Sequence, residues 1–197
     1  MDIYVDFDRT LYNTDQLYSD MFKTINNYGI TSDMFENGKQ EFFQKPILFN
    51  FIELTRYICN KYNMSPAVIS ELLTILENGE KYLYSDSNEF LLKMKHKNYN
   101  TSILTYGDIN FQMLKLTPLS TCNKIDNIII TSNYKFLLDL DYNNSIFIDD
   151  NPRDLMGLSQ QGAKKVIRVK RKNSKYYNSK LLNNEIPIFY NLEDLTI

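Results

Sequence analysis

The chain has no tryptophan, one histidine and two cysteines. The histidine, His96, lies in the charged run "KMKHK" and reads as the solvated end of a helix, so no histidine-based metal site is expected. Cys59 and Cys122 stand alone, without the spacing of a zinc site or a disulfide framework. A reduced, cytoplasmic protein is the expectation. No apolar run approaches the ~18 residues that a membrane span requires. The N-terminal "MDIYVDFD" has no basic leader, so no signal peptide is expected. Acidic and basic residues nearly balance, 24 against 22, and a formal charge of −2 favours neither a nucleic-acid binder nor an acidic tail. No internal repeat or low-complexity tract occurs. Missing tryptophan beside abundant Asn, Ile, Lys and Tyr reads as nucleotide bias rather than chemistry.

What is present is the makings of an α/β domain. At 197 residues the chain can form one such domain, alone or carrying a smaller insert. The N-terminal run "IYV" reads as a strand, as do "TSILT" (101–105), "NIIIT" (127–131), "SIFID" (145–149) and "KVIRV" (165–169). These are short, β-branched and bounded by polar residues, as buried parallel strands are. "NFQMLKLTPLS", "YKFLLDL" and "PRDLMGLSQQG" lie between them with helical spacing, and Pro152 and Gly162 suit the start and stop of the last. The alternation predicts a Rossmann-like, doubly wound parallel sheet, with "IPIFYNLEDL" as one more edge strand. Residues 15–84 are helix-like throughout, with Ser32, Asn50 and Ser65 as candidate caps and Pro66 in a first turn. That length is too great for a loop. It predicts a small all-helical cap, 15–84, inserted after the first strand of a core formed by 1–14 and 85–197. The return passes through "YSDSNEFLLKMKHK", a helix capped by Ser85 or Ser87 with Phe90, Leu91 and Met94 on one face.

The candidate polar groups all fall at the carboxyl ends of strands, where parallel α/β sheets bind ligands. Asp6 and Asp8 end the first strand on one face, Thr105 ends "SILT", Lys135 follows "NIIITSN", and Asp149 and Asp150 end "SIFIDD" with Asp154 one helical turn on. Clustered carboxylates repel unless a cation or hydrogen bonds hold them. They are hard oxygen ligands suited to Mg²⁺. An aspartate can attack phosphorus as a nucleophile, and a second carboxylate can protonate the leaving oxygen. A hydroxyl and an ammonium can hold phosphoryl oxygens.

"IYVDFDRTL", "SILTYGD", "SNYK" and "IFIDDNPRD" resemble, in order, the four signature motifs of the haloacid dehalogenase (HAD) superfamily. The helical insert sits where that superfamily places a C1-type cap. The resemblance implies a phosphatase that hydrolyses a small phosphomonoester through an aspartyl-phosphate. Asp6 is then the nucleophile and Asp8 the acid/base, its backbone carbonyl also touching Mg²⁺. Thr105 and Lys135 hold phosphate, Asp150 is the direct metal ligand, and Asp149 and Asp154 are ligands or support it. Lys124 is the alternative to Lys135. Asp8 points away from the dehalogenase branch, which lacks that second aspartate. Arg9 departs from the pattern, since many members carry glycine there, and Thr10 would cap or brace the turn. Asp108 and Asn110 read as a helix cap, and Asn151 as a turn residue or an orienting group for the metal.

The basic run "KKVIRVKRKNSK" reads first as a solvated surface around an edge strand. Because Lys170 to Lys172 follow a strand's carboxyl end, it also offers potential that steers an anionic substrate. The expected partner is a small phosphorylated substrate, acted on by a monomer or homodimer away from any membrane. Alternatives on the same fold are a phosphomutase, a nucleic-acid end-processing phosphatase and a non-catalytic interaction module.

Overall fold

A computed structural model describes residues 1–43, 48–120, 124–181 and 185–197, with backbone alone at 118 and 120. Cys122 lies outside the described residues. Among the described residues the strands are β1 (Asp2–Val5), β2 (Asn100–Tyr106), β3 (Asn127–Thr131), β4 (Ser145–Asp149), β5 (Lys165–Val169) and β6 (Ile188–Phe189). All pair in parallel, in the order β3-β2-β1-β4-β5-β6. Ile3 and Val5 face the core while every residue of β4 is buried, as befits strands at the centre of a sheet. The chain builds outward from β1 on one side, then returns to start β4 on the other. That reversal between β1 and β4 opens a crevice at their carboxyl ends.

By contacts the chain forms two compact units. The first comprises Met1–Asp15, Tyr82–Tyr106 and Cys122–Ile197 and holds the sheet. Against the sheet pack α5 (Ser87–His96), with Phe90, Leu91 and Met94 inward, and α7 (Pro152–Gln160). Asn151 caps α7, its Oδ1 accepting from Arg153 N–H at 3.1 Å, and Gly162 follows its end at a φ of 83°. Neither serine read as a cap plays that part at α5. Asp86 stands at the N-cap position, and the Ser87 hydroxyl donates to Leu11 O. The stretch "YKFLLDL" makes no α-helix. It forms only a 3-10 turn, Lys135–Leu137, because fewer than two turns cannot repay helix nucleation unless packing supports both ends.

The second unit comprises Gln16–Lys81 and Gly107–Thr121. It contains most of α1 (Thr14–Asn27), with α2 (Ser32–Phe42), α3 (Phe51–Tyr62), α4 (Ala67–Glu77) and α6 (Ile109–Ser120). Asn50 caps α3, accepting from Ile52 and Glu53 N–H at 3.1 and 3.2 Å. Thr31, in place of Ser32, caps α2, and Ser65 Oγ accepts from Ala67 N–H at 3.3 Å before α4. Residues 107–121, which the sequence reading groups with the core, cluster here for a physical reason. Phe111 stacks on Tyr18 with ring centres 6.4 Å apart, α6 packs on α4, and Asp108 accepts both Asn50 Nδ2–H and Phe111 N–H. Asp108 therefore caps α6 as expected. Tyr18, Phe22, Phe35 and Phe51 form an aromatic core with centre distances of 4.7–5.9 Å. Among the described residues no helix is long and apolar enough to cross a membrane.

One contact in the first unit sets the position of Lys135. A Cβ on Gly157 in α7 would stand 2.2 Å from Phe136 Cδ1, so the ring next to Lys135 fits only because Gly157 has no side chain. Gly157→Ala is expected to destabilise the protein by about 1–3 kcal/mol, the usual cost of overpacking. A urea midpoint measured by tyrosine fluorescence reads this loss.

Candidate active site

Register brings the carboxylates together. Val5 pairs with Ile148, so Asp6 lies level with Asp149, and Asp6 N–H donates to Ile148 O at 2.8 Å. Side chains in register on neighbouring parallel strands project to the same face. The cleft they open, about 110 Å³, is also lined by Asp8, Lys135, Asp150 and Asp154. Five aspartates thus face two cations, Lys135 and Arg9.

Lys135 is buried in this acid. Its Nζ donates to Asp6 Oδ1 at 2.5 Å and to Asp149 Oδ2 at 2.6 Å. Burial alone would lower its pKa, but the charges of Asp149 and Asp6 overcome that and hold it charged, well above the usual lysine range. Tyr134 beside it stacks on Phe136 and lies under the Arg153 guanidinium, 3.9 Å from the ring centre. Lys124 is elsewhere, donating to Asn88.

The carboxylates divide by what already holds them. Each oxygen of Asp149 already accepts one hydrogen bond, Oδ2 from Lys135 and Oδ1 from Asn151 N–H at 2.8 Å. Asp6 Oδ2, Asp150 Oδ2 and Asp154 Oδ1 are buried without a hydrogen-bond partner among the described residues. Burial chiefly, with the charges of Asp149 and Asp8 added and Lys135 opposing, pushes Asp6 up to about 7. Burial and the Asp6 and Asp149 charges likewise raise Asp150, and burial raises Asp154. Unpartnered buried carboxylate oxygens are rare and need a counter-group. Asp6, Asp149 and Asp150 each offer an oxygen within 4.8 Å of the others, a spacing that fits a divalent cation. Asp8 and Asp154 line the cleft outside that trio. Asn151 both caps α7 and donates to Asp154 Oδ2 at 2.8 Å.

Thr105 stands last but one in β2 and is wholly buried, its hydroxyl without a hydrogen-bond partner among the described residues, but it does not line the cleft. Its neighbour Tyr106 does, and so does Tyr176, which sequence reasoning did not single out. Thr14 was missed as well: its hydroxyl donates to Asp8 Oδ1 at 2.5 Å. Arg9 adopts a φ of 64°, a left-handed conformation that costs a side-chain-bearing residue roughly 1–2 kcal/mol. Such a backbone explains the preference for glycine at this point of the motif. Here Arg9 is held by a two-pronged bond to Asp15, Nε and Nη2 on Oδ1 at 3.0 and 2.8 Å.

The basic run is not a solvated surface throughout. Arg168 and Arg171 are buried, because the backbone folds over them. Arg171 grips Asp86 through both Nη atoms at 2.7 and 2.8 Å. It also donates from Nε and Nη2 to Thr10 O at 3.1 and 2.8 Å, bracing the loop that carries Asp8. Thr10 braces that turn through its carbonyl, while its hydroxyl has no partner among the described residues. A signal for Arg171 existed: it stands two residues past buried Val169, on the same face.

The profile of the haloacid dehalogenase-like hydrolases matches residues 3–169. The chain belongs to this family. No curated protein matches it. Solved structures of similar fold include a haloacid dehalogenase-like protein of Burkholderia xenovorans LB400, at a TM-score of 0.69 and 17% identity over 98% of this chain and 94% of that one. Another is L-2-haloacid dehalogenase of Xanthobacter autotrophicus, at 0.58 and 15% over 89% and 79%. YfnB of Bacillus subtilis, a HAD-hydrolase-type protein bound to magnesium, gives 0.57 and 15% over 98% and 95%. At these identities the likeness is one of fold.

Proposed function

We propose that this HAD-like hydrolase is a Mg²⁺-dependent phosphatase acting on a small phosphomonoester. The observation that carries the reading is the second carboxylate, Asp8, lining the cleft with Asp6 and braced by Thr14. A halide leaves as a stable anion and needs no proton, whereas an alkoxide does. Asp6, with Lys135 on one oxygen and the other free, forms a bond to phosphorus as the ester P–O bond breaks. Asp8 gives its proton to the departing oxygen. Asp8 then takes a proton from water, whose oxygen displaces Asp6 and releases inorganic phosphate. Lys135, which lines the cleft, is assigned to the phosphoryl oxygens, and the buried Thr105 hydroxyl, although outside the lining of the open cleft, is assigned to them as a second donor. Asp6, Asp150 and the Asp8 carbonyl would hold the cation, with Asp149 and Asp154 in support. Bound there, it offsets the charge of the carboxylates and of the phosphate dianion.

A screen that follows phosphate and halide release together tests this reading. Phosphomonoesters with Mg²⁺ should yield phosphate, and chelation should end it. Halide release from 2-haloacids without any phosphate release would overturn the phosphatase reading. Isomer formation without net phosphate release would make the chain a mutase.

Cation binding has its own pH signature. Because the folded-state pKa of Asp6 is raised to about 7, its contribution to stability is complete below the unfolded value and is lost as pH climbs through about 7. A bound cation removes that loss, while protons compete with it in acid. Mg²⁺ is therefore expected to raise the melting temperature by several degrees at pH 8 and by much less at pH 5.

A further inference from the structure

A second cleft, about 510 Å³, opens past the carboxyl end of β5, several times larger than the 110 Å³ of the Asp6 cleft. Its floor is the Arg171–Asp86 pair, so those charges are already matched. Its walls are aromatic. The Arg171 guanidinium lies 4.2 Å from the centre of the Tyr84 ring, and the Tyr177 and Tyr190 rings are tilted to each other at 58°, their centres 6.5 Å apart. Lys170 and Lys172 stand at the rim, Lys170 Nζ 5.1 Å from the Tyr177 ring centre. Among the described residues neither lysine has an ion-pair partner, and beyond Asp86, which Arg171 holds, the lining carries one carboxylate, Glu193.

The aromatic wall is built in advance. Buried Arg168 donates to Tyr176 O at 2.7 Å and to Ser179 O at 2.8 Å, and Tyr177 N–H donates to Ser174 O at 3.0 Å. The backbone that carries Tyr177 is thus held before any ligand arrives, which lowers the cost of ordering on binding. Aromatic faces take flat heterocycles by stacking, and lysines take phosphate. The floor is neutral overall and the rim positive, a match for a ligand with a flat ring and an anionic group rather than for a bare anion.

We propose that this cleft binds a nucleoside phosphate, its base against Tyr177 and Tyr190 and its phosphate on Lys170 and Lys172. The two clefts share no lining residue, so the proposal stands or falls apart from the hydrolytic reading. Calorimetric titration of the full chain, carrying Asp6→Asn so that no phosphate is released, separates the parts. AMP is the probe, and adenosine and ribose 5-phosphate are its two halves. AMP should bind at least about tenfold more tightly than either half. Tyr177→Ala should weaken AMP about tenfold, the loss of one stacking face. Lys172→Ala should weaken AMP and leave adenosine unchanged. Tyr190 is 56% exposed, so Tyr190→Ala reads the same contact without risk to the fold. Ribose 5-phosphate binding as tightly as AMP, or AMP binding unchanged in both tyrosine variants, overturns the proposal. So does the absence of AMP binding.

Discussion

Asp6→Asn is expected to reduce phosphate release to background, a loss on the order of 10⁶-fold, as when a nucleophile is removed elsewhere. The amide keeps the shape of the carboxylate but cannot displace an alkoxide from phosphorus. The fold should survive. Asp6 is a buried acid whose raised pKa marks an anion the folded protein disfavours, and Lys135 retains Asp149 as a partner. Above pH 7 the variant escapes the loss of stability that ionising Asp6 brings to the wild type. Its melting temperature at pH 8 without divalent cation should equal or exceed that of the wild type. Turnover near the wild-type rate from a folded variant would remove Asp6 from the nucleophile's role.

Lys135→Met should act in the opposite sense on stability. Methionine replaces most of the aliphatic stem, so the change is one of charge. Asp6 and Asp149 lose their buried counter-ion, which typically costs about 3–5 kcal/mol. That cost should appear at pH 8 in chelator and shrink at pH 5, where Asp6 and Asp150 can take protons in its place. Phosphate release should be lost at both. Urea denaturation at the two pH values makes the comparison. An equal loss of stability at both would assign the cost to packing and not to charge.

Much of this architecture was legible because strands announce themselves. The five apolar runs all became strands, and the edge strand read from "IPIFYNLEDL" exists as the short β6. The carboxylates at their ends could be named because a buried strand has no stabilising reason to finish in paired acids. Less legible was anything set by tertiary contact. Asp86 stands between two serines that look like caps, and only the fold shows that Arg171 and the Leu192 N–H claim its carboxylate. Arg168 and Arg171 hid in a run of lysines, where charge alone suggests solvent. "YKFLLDL" has helical spacing, but a turn was enough to deliver Lys135 to Asp6. The left-handed backbone at Arg9 could not be inferred from arginine itself, which seldom adopts it.

The central claim is that Asp6 is phosphorylated during turnover and that Asp8 serves both proton transfers. Rapid-quench mass spectrometry of the Asp8→Asn protein with nitrophenyl phosphate and Mg²⁺ tests it most directly. Nitrophenolate leaves without a proton, so the first step should proceed, and the water that follows should lack its base. The peptide containing Asp6 should therefore carry a phosphoryl group that accumulates within one turnover. Continued phosphate release with Asp6 never modified would mean that water attacks phosphorus directly and that the two aspartates do not divide the work in this way.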